Sequence, residues 1–523
     1  MLPACSPVAS APSALYQTTG MEGGMRFTSL VIELIRARPR LVVWVVALLQ
    51  AALWLFVALV FYRSPPGNLA VTLAFGREYQ VGTDLGPPLA FWLADIAYRA
   101  AGDHMFGVYL LAQACEIVTL VTLYILGRVL VGGQHSVLAV LLTMTIVAFG
   151  LPALEFGPEV ASRPLWALLL LHSWQLIGQR RGNAWFAWSI EAGLLLLTTS
   201  AAIGLLLLLV VFALVTVQGR QMFRTVDPLI ALLVIVVLVL PYAIWLVRAG
   251  ALGMPPFPAL ADLLGRVQHG AWLLGGLLLS LAAVPLLAVL NSRWFARRGE
   301  DAPVIYRPMV DPLARNYVYF FALAPALLGI VISGLFAREG VVGGPAVALM
   351  MTGLAIVVAA GDLIQVRRQR LLRTVWAAAF AAPTMAVLVP AVFLPWIGTQ
   401  EVATSMPARA IADFFGESFV RRTNQPLWAV TGETQLAALI ALHSGRPHLM
   451  VAERTPWVPS ERFNETGGVV VWRASDTSGT PPPDIARRFP GLTPEVPHAF
   501  EWFVTGRQPL LRIGWAIVRP KPS

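Results

Sequence analysis

The chain has 523 residues, 57% of them hydrophobic and only 13% charged, with a net charge of +10 and a mean hydropathy of +0.70. Soluble domains carry about 25% charged residues and about 45–50% apolar ones. These numbers therefore exclude a soluble globule, and equally a disordered chain, a collagen-like fibre or a disulfide scaffold. A polytopic membrane protein remains.

Residues 1–20 hold no charged residue and no apolar span. They lack the basic stretch that precedes the apolar core of a signal peptide. Residues 1–40 are expected to be a disordered, cytoplasmic N-terminus, with Met21 or Met25 as the start of the working chain. Of the two cysteines, Cys5 falls in this segment and Cys115 in an apolar run, so no disulfide is expected.

Eleven apolar runs then follow, at 41–61, 105–131, 135–150, 163–178, 184–198, 200–218, 227–247, 270–290, 316–336, 345–361 and 374–397. A span needs about 17–25 such residues, which makes 135–150 and 184–198 the shortest candidates. Between the first two runs, residues 62–104 are broken by Pro65, Pro66, Gly67, Gly86, Pro87 and Pro88. They read as a loop with one or two amphipathic helices at the membrane interface.

Arginine placement orients the array. With the N-terminus inside, inner segments carry eighteen Arg and outer ones seven, as the positive-inside rule requires. Of the 38 basic residues only Lys521 is lysine, a bias expected of a genome rich in G and C. No DNA- or RNA-binding motif accompanies it, so nucleic acid is not an expected partner. Eleven spans put residues 398–523 outside. This segment holds 11 acidic and 13 basic residues and β-rich stretches such as Gly468–Trp472. It is long enough for a small domain. The expected fold is an all-α polytopic membrane domain over 41–397, followed by a small α/β extracytoplasmic domain over 398–523.

Ionisable groups in or beside a bilayer are costly and mark the places where chemistry is expected. The inner loops carry arginines and little else. The outer loops carry the carboxylates: Glu78 and Asp84 in the first, Glu155 and Glu159 in the second, with Arg77 and Arg163 among them. Facing carboxylates can act as a base or hold a cation, and guanidinium groups can hold a phosphate. The plain alternative is that Asp84 and Glu159 are solvated loop residues or helix caps. The seven histidines show no metal spacing on a predicted helix; His443 and His448, five apart, are the nearest to a pair. Gly275-Gly276 and Gly343-Gly344 match no phosphate loop and read as helix-packing positions. Trp44, Trp92 and Trp396 read as interface markers.

The first outer loop, its Gly86-Pro87-Pro88-Leu89-Ala90-Phe91-Trp92-Leu93 run and the acidic second loop resemble the GT-C glycosyltransferases. The resemblance is greatest to bacterial glycosyltransferase family 39, which includes protein mannosyltransferases and the lipid A aminoarabinose transferase. It covers roughly residues 41–250. It continues weakly in Leu427–Gly432, Thr455–Val458 and Ile513–Val518. It implies a multi-pass bacterial inner-membrane enzyme. Such an enzyme takes a sugar from a polyprenyl-phosphate donor at the periplasmic face and passes it to a lipid, glycan or protein acceptor. It implies Asp84, Glu159 and Glu78 as catalytic candidates, Arg77 and Arg163 at the donor phosphate, and Asn68 and Glu155 in support. No cofactor is required by it, though some members use a divalent metal.

One departure matters. The family carries an Asp soon after the first span, where this sequence reads Ser64-Pro65-Pro66-Gly67-Asn68. An amide cannot act as a general base. Either Asp84 or Glu78 has taken the role, or the chain is a degenerate member, or the register of the comparison is displaced. Two other functions stay open: a transporter of lipid-linked sugar, which predicts ionisable groups in mid-span (Glu116, Glu191 and Asp362 are the main ones), and a non-catalytic relative that binds the carrier, which Asn68 favours.

Overall fold

The computed structural model describes residues 27–520, apart from 152–153, 252–256, 293–302, 398–401, 444, 452–454, 475–478 and 505. Most of it is helix. The first part contains α1 (Phe27–Ala37), α2 (Pro39–Phe61), α3 (Leu69–Gly76), α4 (Leu89–Ala100), α5 (Met105–Val131), α6 (Gly133–Thr143) and α7 (Val147–Gly150). It continues with α8 (Pro158–Ile177), α9 (Ala184–Leu196), α10 (Ala202–Val215), α11 (Val217–Met222), α12 (Asp227–Arg248), α13 (Leu263–Ser280) and α14 (Ala283–Leu290). A short strand β1 (Val304–Tyr306) precedes α15 (Pro312–Phe336), α16 (Pro345–Ala348) and α17 (Thr352–Ala359). Strand β2 (Leu363–Gln365) pairs antiparallel with β1, and α18 (Gln369–Ile397) closes this part.

Every apolar run of the sequence is helical, but the helices differ in build. Among the described residues, α2, α5, α12, α15 and α18 are each long and apolar enough to cross a membrane, and α13 with α14 forms a sixth such unit bent by 45°. The 135–150 run is split into α6 and α7, and 345–361 into α16 and α17. Prolines inside α8, α12, α15 and α18 are retained, as in membrane helices whose freed carbonyls find other partners. The long face of α12 exposes Leu229, Ile230, Leu232, Leu233 and Val237, a surface suited to lipid. Two expectations change. Residues 27–37 are helical rather than disordered; residues 1–26 and Cys5 lie outside the described residues. The first loop does contain two helices, yet α3 is buried at all eight positions, so it does not lie on a membrane surface.

The loops meet in two groups. At one end, Arg36 donates to the Val304 carbonyl, Asn291 accepts from the Arg367 amide, and Arg307 pairs with Asp362. At the other, Leu89 donates to the Leu197 carbonyl, Gly344 abuts Glu159, and Gly67 abuts Glu155. Two pairs of ionisable side chains meet between the ends. Glu116 of α5 binds Arg163 of α8 at 2.9 Å, and His172 of α8 binds Glu191 of α9 at 2.8 Å. Unpaired charges there would cost several kcal/mol each, of the order of 3–5.

The C-terminal part contains α19 (Ala408–Thr423), β3 (Ala429–Gly432), α20 (Thr434–His443), β4 (His448–Met450), α21 (Ser460–Thr466), β5 (Gly468–Arg473), α22 (Pro483–Arg488), β6 (Glu495–Phe500) and β7 (Leu511–Val518). Its sheet runs β4-β3-β5-β7-β6. β3 is parallel to β4 and β5, and β7 is antiparallel to β5 and β6. Strand β5 is buried on both faces over Gly468–Trp472, which explains its continuous apolar sequence. This layer does not stand apart. Phe75 of α3 and Phe91 of α4 share one core with Phe415, Val471 and Trp515, and Phe75 meets Trp457 edge-on at 5.3 Å. The α3–α4 hairpin is thus held between the helical bundle and the sheet domain.

Candidate active site

The site is assembled at the end of α2. Tyr62 ends that helix, and the amides of Arg63 and Ser64 donate to the Thr404 carbonyl. Pro65 and Pro66 then turn the chain inward to Gly67 and Asn68, and α3 starts at Leu69. Gly67 has φ +51°, and a Cβ there would overlap the Glu155 carboxylate. Both the left-handed backbone and the close approach require glycine. The second acidic loop therefore lays Glu155 on the backbone of the first, beside Asn68.

Glu159 sits in the first turn of α8. Its carboxylate lies against Gly344, in the Gly343-Gly344 turn, where φ is +90° and +85°. These glycines form a loop contact rather than the helix packing expected of them, and a Cβ at Gly275 or Gly276 would meet no other part of the described residues within 4 Å. Glu155 and Glu159 are both exposed to solvent. Burial of part of its surroundings pushes the Glu155 carboxyl above the usual carboxylate value, and the charge of Glu159 pushes it the same way. Burial, with the Glu155 charge second, pushes the Tyr62 phenol up to about 12. At neutral pH Tyr62 is a hydrogen-bonding phenol beside a carboxylate whose basicity is increased.

The other sequence candidates are distributed differently. Asp84 is exposed at the tip of a turn closed by Thr83 and Gly86, and Gly82 beneath it packs on the Trp245 ring. No contact joins Asp84 to Glu155 or Glu159 among the described residues. Glu78 is engaged by His448 of β4 at 2.8 Å. Arg163 is 1% exposed and donates to Glu116 and to the Ala148 carbonyl. It cannot also hold a phosphate outside the bundle, because withdrawing it would strand Glu116 inside. Arg77 differs. It follows α3, and its Nη1 is buried without a hydrogen-bond partner among the described residues. Burial, then the nearby Arg446, lowers its pKa, which marks a cation that an anion would stabilise.

Sequence reasoning missed Asp95, Arg446 and Gln435, and met His448 only as a weak pair with His443. Asp95 of α4 is wholly buried and is held by Arg446 at 2.5 Å, Arg99 at 2.6 Å and Tyr79 at 3.0 Å. An acid inside the Leu89–Ala100 helix with Arg99 four residues on was a readable signal. Arg446 was not readable, since it arrives from 351 residues away. Asn68 Oδ1 accepts from Gln435 Nε2 of α20 at 3.3 Å. Among the described residues no group of three His, Cys, Asp or Glu is placed to hold a metal ion.

A family model described as dolichyl-phosphate-mannose-protein mannosyltransferase matches residues 86–245. Among solved structures, the chain is similar to ArnT from Cupriavidus metallidurans bound to undecaprenyl phosphate. The TM-score is 0.56 at 15% identity, over 92% of this chain and 99% of that one. The apo state of the same ArnT gives TM-score 0.56 and 14% identity over the same shares. The arabinofuranosyltransferase AftD from Mycobacteria gives 0.47 and 14%, over 92% of this chain and 40% of that one. No curated protein matches the chain by sequence. What the chain shares with ArnT is the fold.

Proposed function

We propose that the chain is a GT-C membrane glycosyltransferase that moves a sugar from a polyprenyl-phosphate carrier to a lipid, glycan or protein acceptor; the family model over residues 86–245 and the fold shared with ArnT support this reading. The observation that carries this reading is the contact between the two acidic loops. Glu155 lies on Gly67, next to Asn68, and so supplies a carboxylate where the sequence of the first loop lacks one. Asp84 and Glu78, the candidates nearest in sequence, are respectively at a turn tip and bound to His448.

In this mechanism Glu155 accepts the proton of the acceptor hydroxyl. The oxygen attacks the anomeric carbon, the new C–O bond forms, and the bond to the phosphate oxygen breaks with its electron pair. The anomeric carbon inverts. Glu159 raises the basicity of Glu155, and Arg77 stabilises the departing phosphate charge. The Arg asymmetry between the loops favours a cytoplasmic N-terminus and a site on the outer face of the inner membrane.

The test is release of polyprenyl phosphate from a panel of radiolabelled polyprenyl-phosphate hexoses and pentoses by the purified full chain. Glu155→Gln is expected to lower turnover about 10²- to 10⁴-fold, whereas Asp84→Asn stays near wild type. Loss of turnover in Asp84→Asn with Glu155→Gln active would return the base to the first loop. A chain that binds the carrier saturably and turns over none of the donors is the non-catalytic relative that Asn68 favours.

A further inference from the structure

One polar contact beside Glu155 belongs to no step of the transfer. Asn68 and Gln435 bond through their side-chain amides across 367 positions of the chain. Both residues are exposed, yet both supports are rigid. Helix α3, which starts right after Asn68, is buried at every residue, and α20 is buried from Leu436 to Leu442. The structure thus holds two surface amides at a fixed spacing, one on the bundle side and one on the sheet domain, next to the glycine that carries the Glu155 carboxylate.

Each carboxamide offers an acceptor oxygen and an NH₂ donor. Their mutual bond takes the oxygen of one and a hydrogen of the other. Whichever way the two amides face, the pair keeps one NH₂ and one C=O free for a ligand, side by side. An exposed bond between neutral amides adds little to stability, because water competes for both groups. Its geometry suits a neutral ligand with adjacent groups that both donate and accept. Two neighbouring hydroxyls of a sugar ring have that pattern.

We propose that the Asn68–Gln435 pair reads two adjacent hydroxyls of the sugar ring presented to Glu155, so that the C-terminal domain supplies half of the sugar subsite. The proposal rests on the transferase reading above. It also gives a physical reason for the amide at 68. A carboxylate in that place offers no donor and repels Glu155, whereas the amide offers a donor and carries no charge.

The test uses the full chain in nanodiscs, with a donor that the wild type turns over, and the variants Asn68→Ala, Gln435→Ala and the double substitution. Each single change is expected to raise KM for the sugar-bearing substrate about five- to tenfold, the loss of one or two neutral hydrogen bonds, with kcat nearly unchanged. The double variant is expected to match the singles, because the two amides act as a unit. Affinity for bare undecaprenyl phosphate, a competitor with no sugar, stays at the wild-type value, which also reports an intact fold. A KM change for the donor assigns the ring to the donor sugar; one confined to a glycan acceptor assigns it to the acceptor. Unchanged KM for both substrates overturns the proposal, as does an equal fall in affinity for bare undecaprenyl phosphate. A wild-type chain that turns over no donor is a different result: it removes the transferase reading and the sugar subsite with it.

Discussion

Asn68 is the residue whose substitution probes the proposed base most directly. It stands beside Gly67, whose backbone bears the Glu155 carboxylate. Asn68→Asp would put an acid in the first loop and set a third carboxylate beside Glu155 and Glu159. The Glu155 pKa is already raised, first by burial and then by Glu159, and a further negative charge raises it again. A base must be deprotonated to work, so raising its pKa moves the acid limb of the pH–rate profile upward. The expected outcome is a limb displaced toward neutral pH in Asn68→Asp, with the plateau at high pH retained. A limb that moves toward acid would show that the introduced carboxylate had itself become the base. The candidate carboxylates were legible from the sequence because acids are rare in this chain and two of its outer loops each carry a close pair of them. Their pairing was not, since a glycine at φ +51° and the approach of a loop about ninety residues away are tertiary facts.

At the scale of elements, α8 carries two charges with opposite fates. Glu159, in its first turn, faces solvent, and Arg163, one turn on, is sealed against Glu116 of α5. The resemblance implied Arg163 at the donor phosphate. Burial decides otherwise: at 1% exposure a guanidinium must be paired where it stands. Glu116→Gln should therefore destabilise the bundle by about 3–5 kcal/mol, read as a lower melting temperature in detergent. Glu116→Leu with Arg163→Met should recover most of that loss, because no charge is left unpaired. If the double variant is as unstable as Glu116→Gln, the pair contributes more than charge compensation. The same logic separates α3 from the interfacial helix it resembled in sequence. Its eight residues, Leu69–Gly76, are apolar or small all round, and such a helix is buried on all sides rather than laid on a surface.

At the scale of the molecule, the sheet domain is docked through the α3–α4 hairpin. The dock has an apolar part, Phe75, Phe91 and Trp457 among them, and a polar part centred on Asp95. Arg446 reaches Asp95 from a turn in which its own φ is +57°. Arg446→Met is expected to weaken the dock by about 2 kcal/mol, the worth of a buried hydrogen bond to a charge, while Arg99 and Tyr79 keep Asp95 paired. Limited proteolysis should then cut within the C-terminal domain at least several-fold faster than in the wild type. An unchanged cleavage rate would mean that the apolar contacts alone hold the domain. Because Gln435 and His448 also touch the first loop, docking strength and substrate affinity should fall together in this variant.

Composition and the spacing of apolar runs were enough to determine the class of this protein: a helical membrane bundle followed by a small α/β domain. Those properties are local sums of hydropathy and periodicity along the chain, and each run became helical. The sequence also located the acidic loops. Which loop each acid lies against, which arginine is sealed in the bundle, and that the C-terminal domain reaches the first loop, were decided only by the tertiary structure. Each depends on burial and on contacts across hundreds of residues, and a charge acquires its role from the partner beside it rather than from its neighbours in sequence.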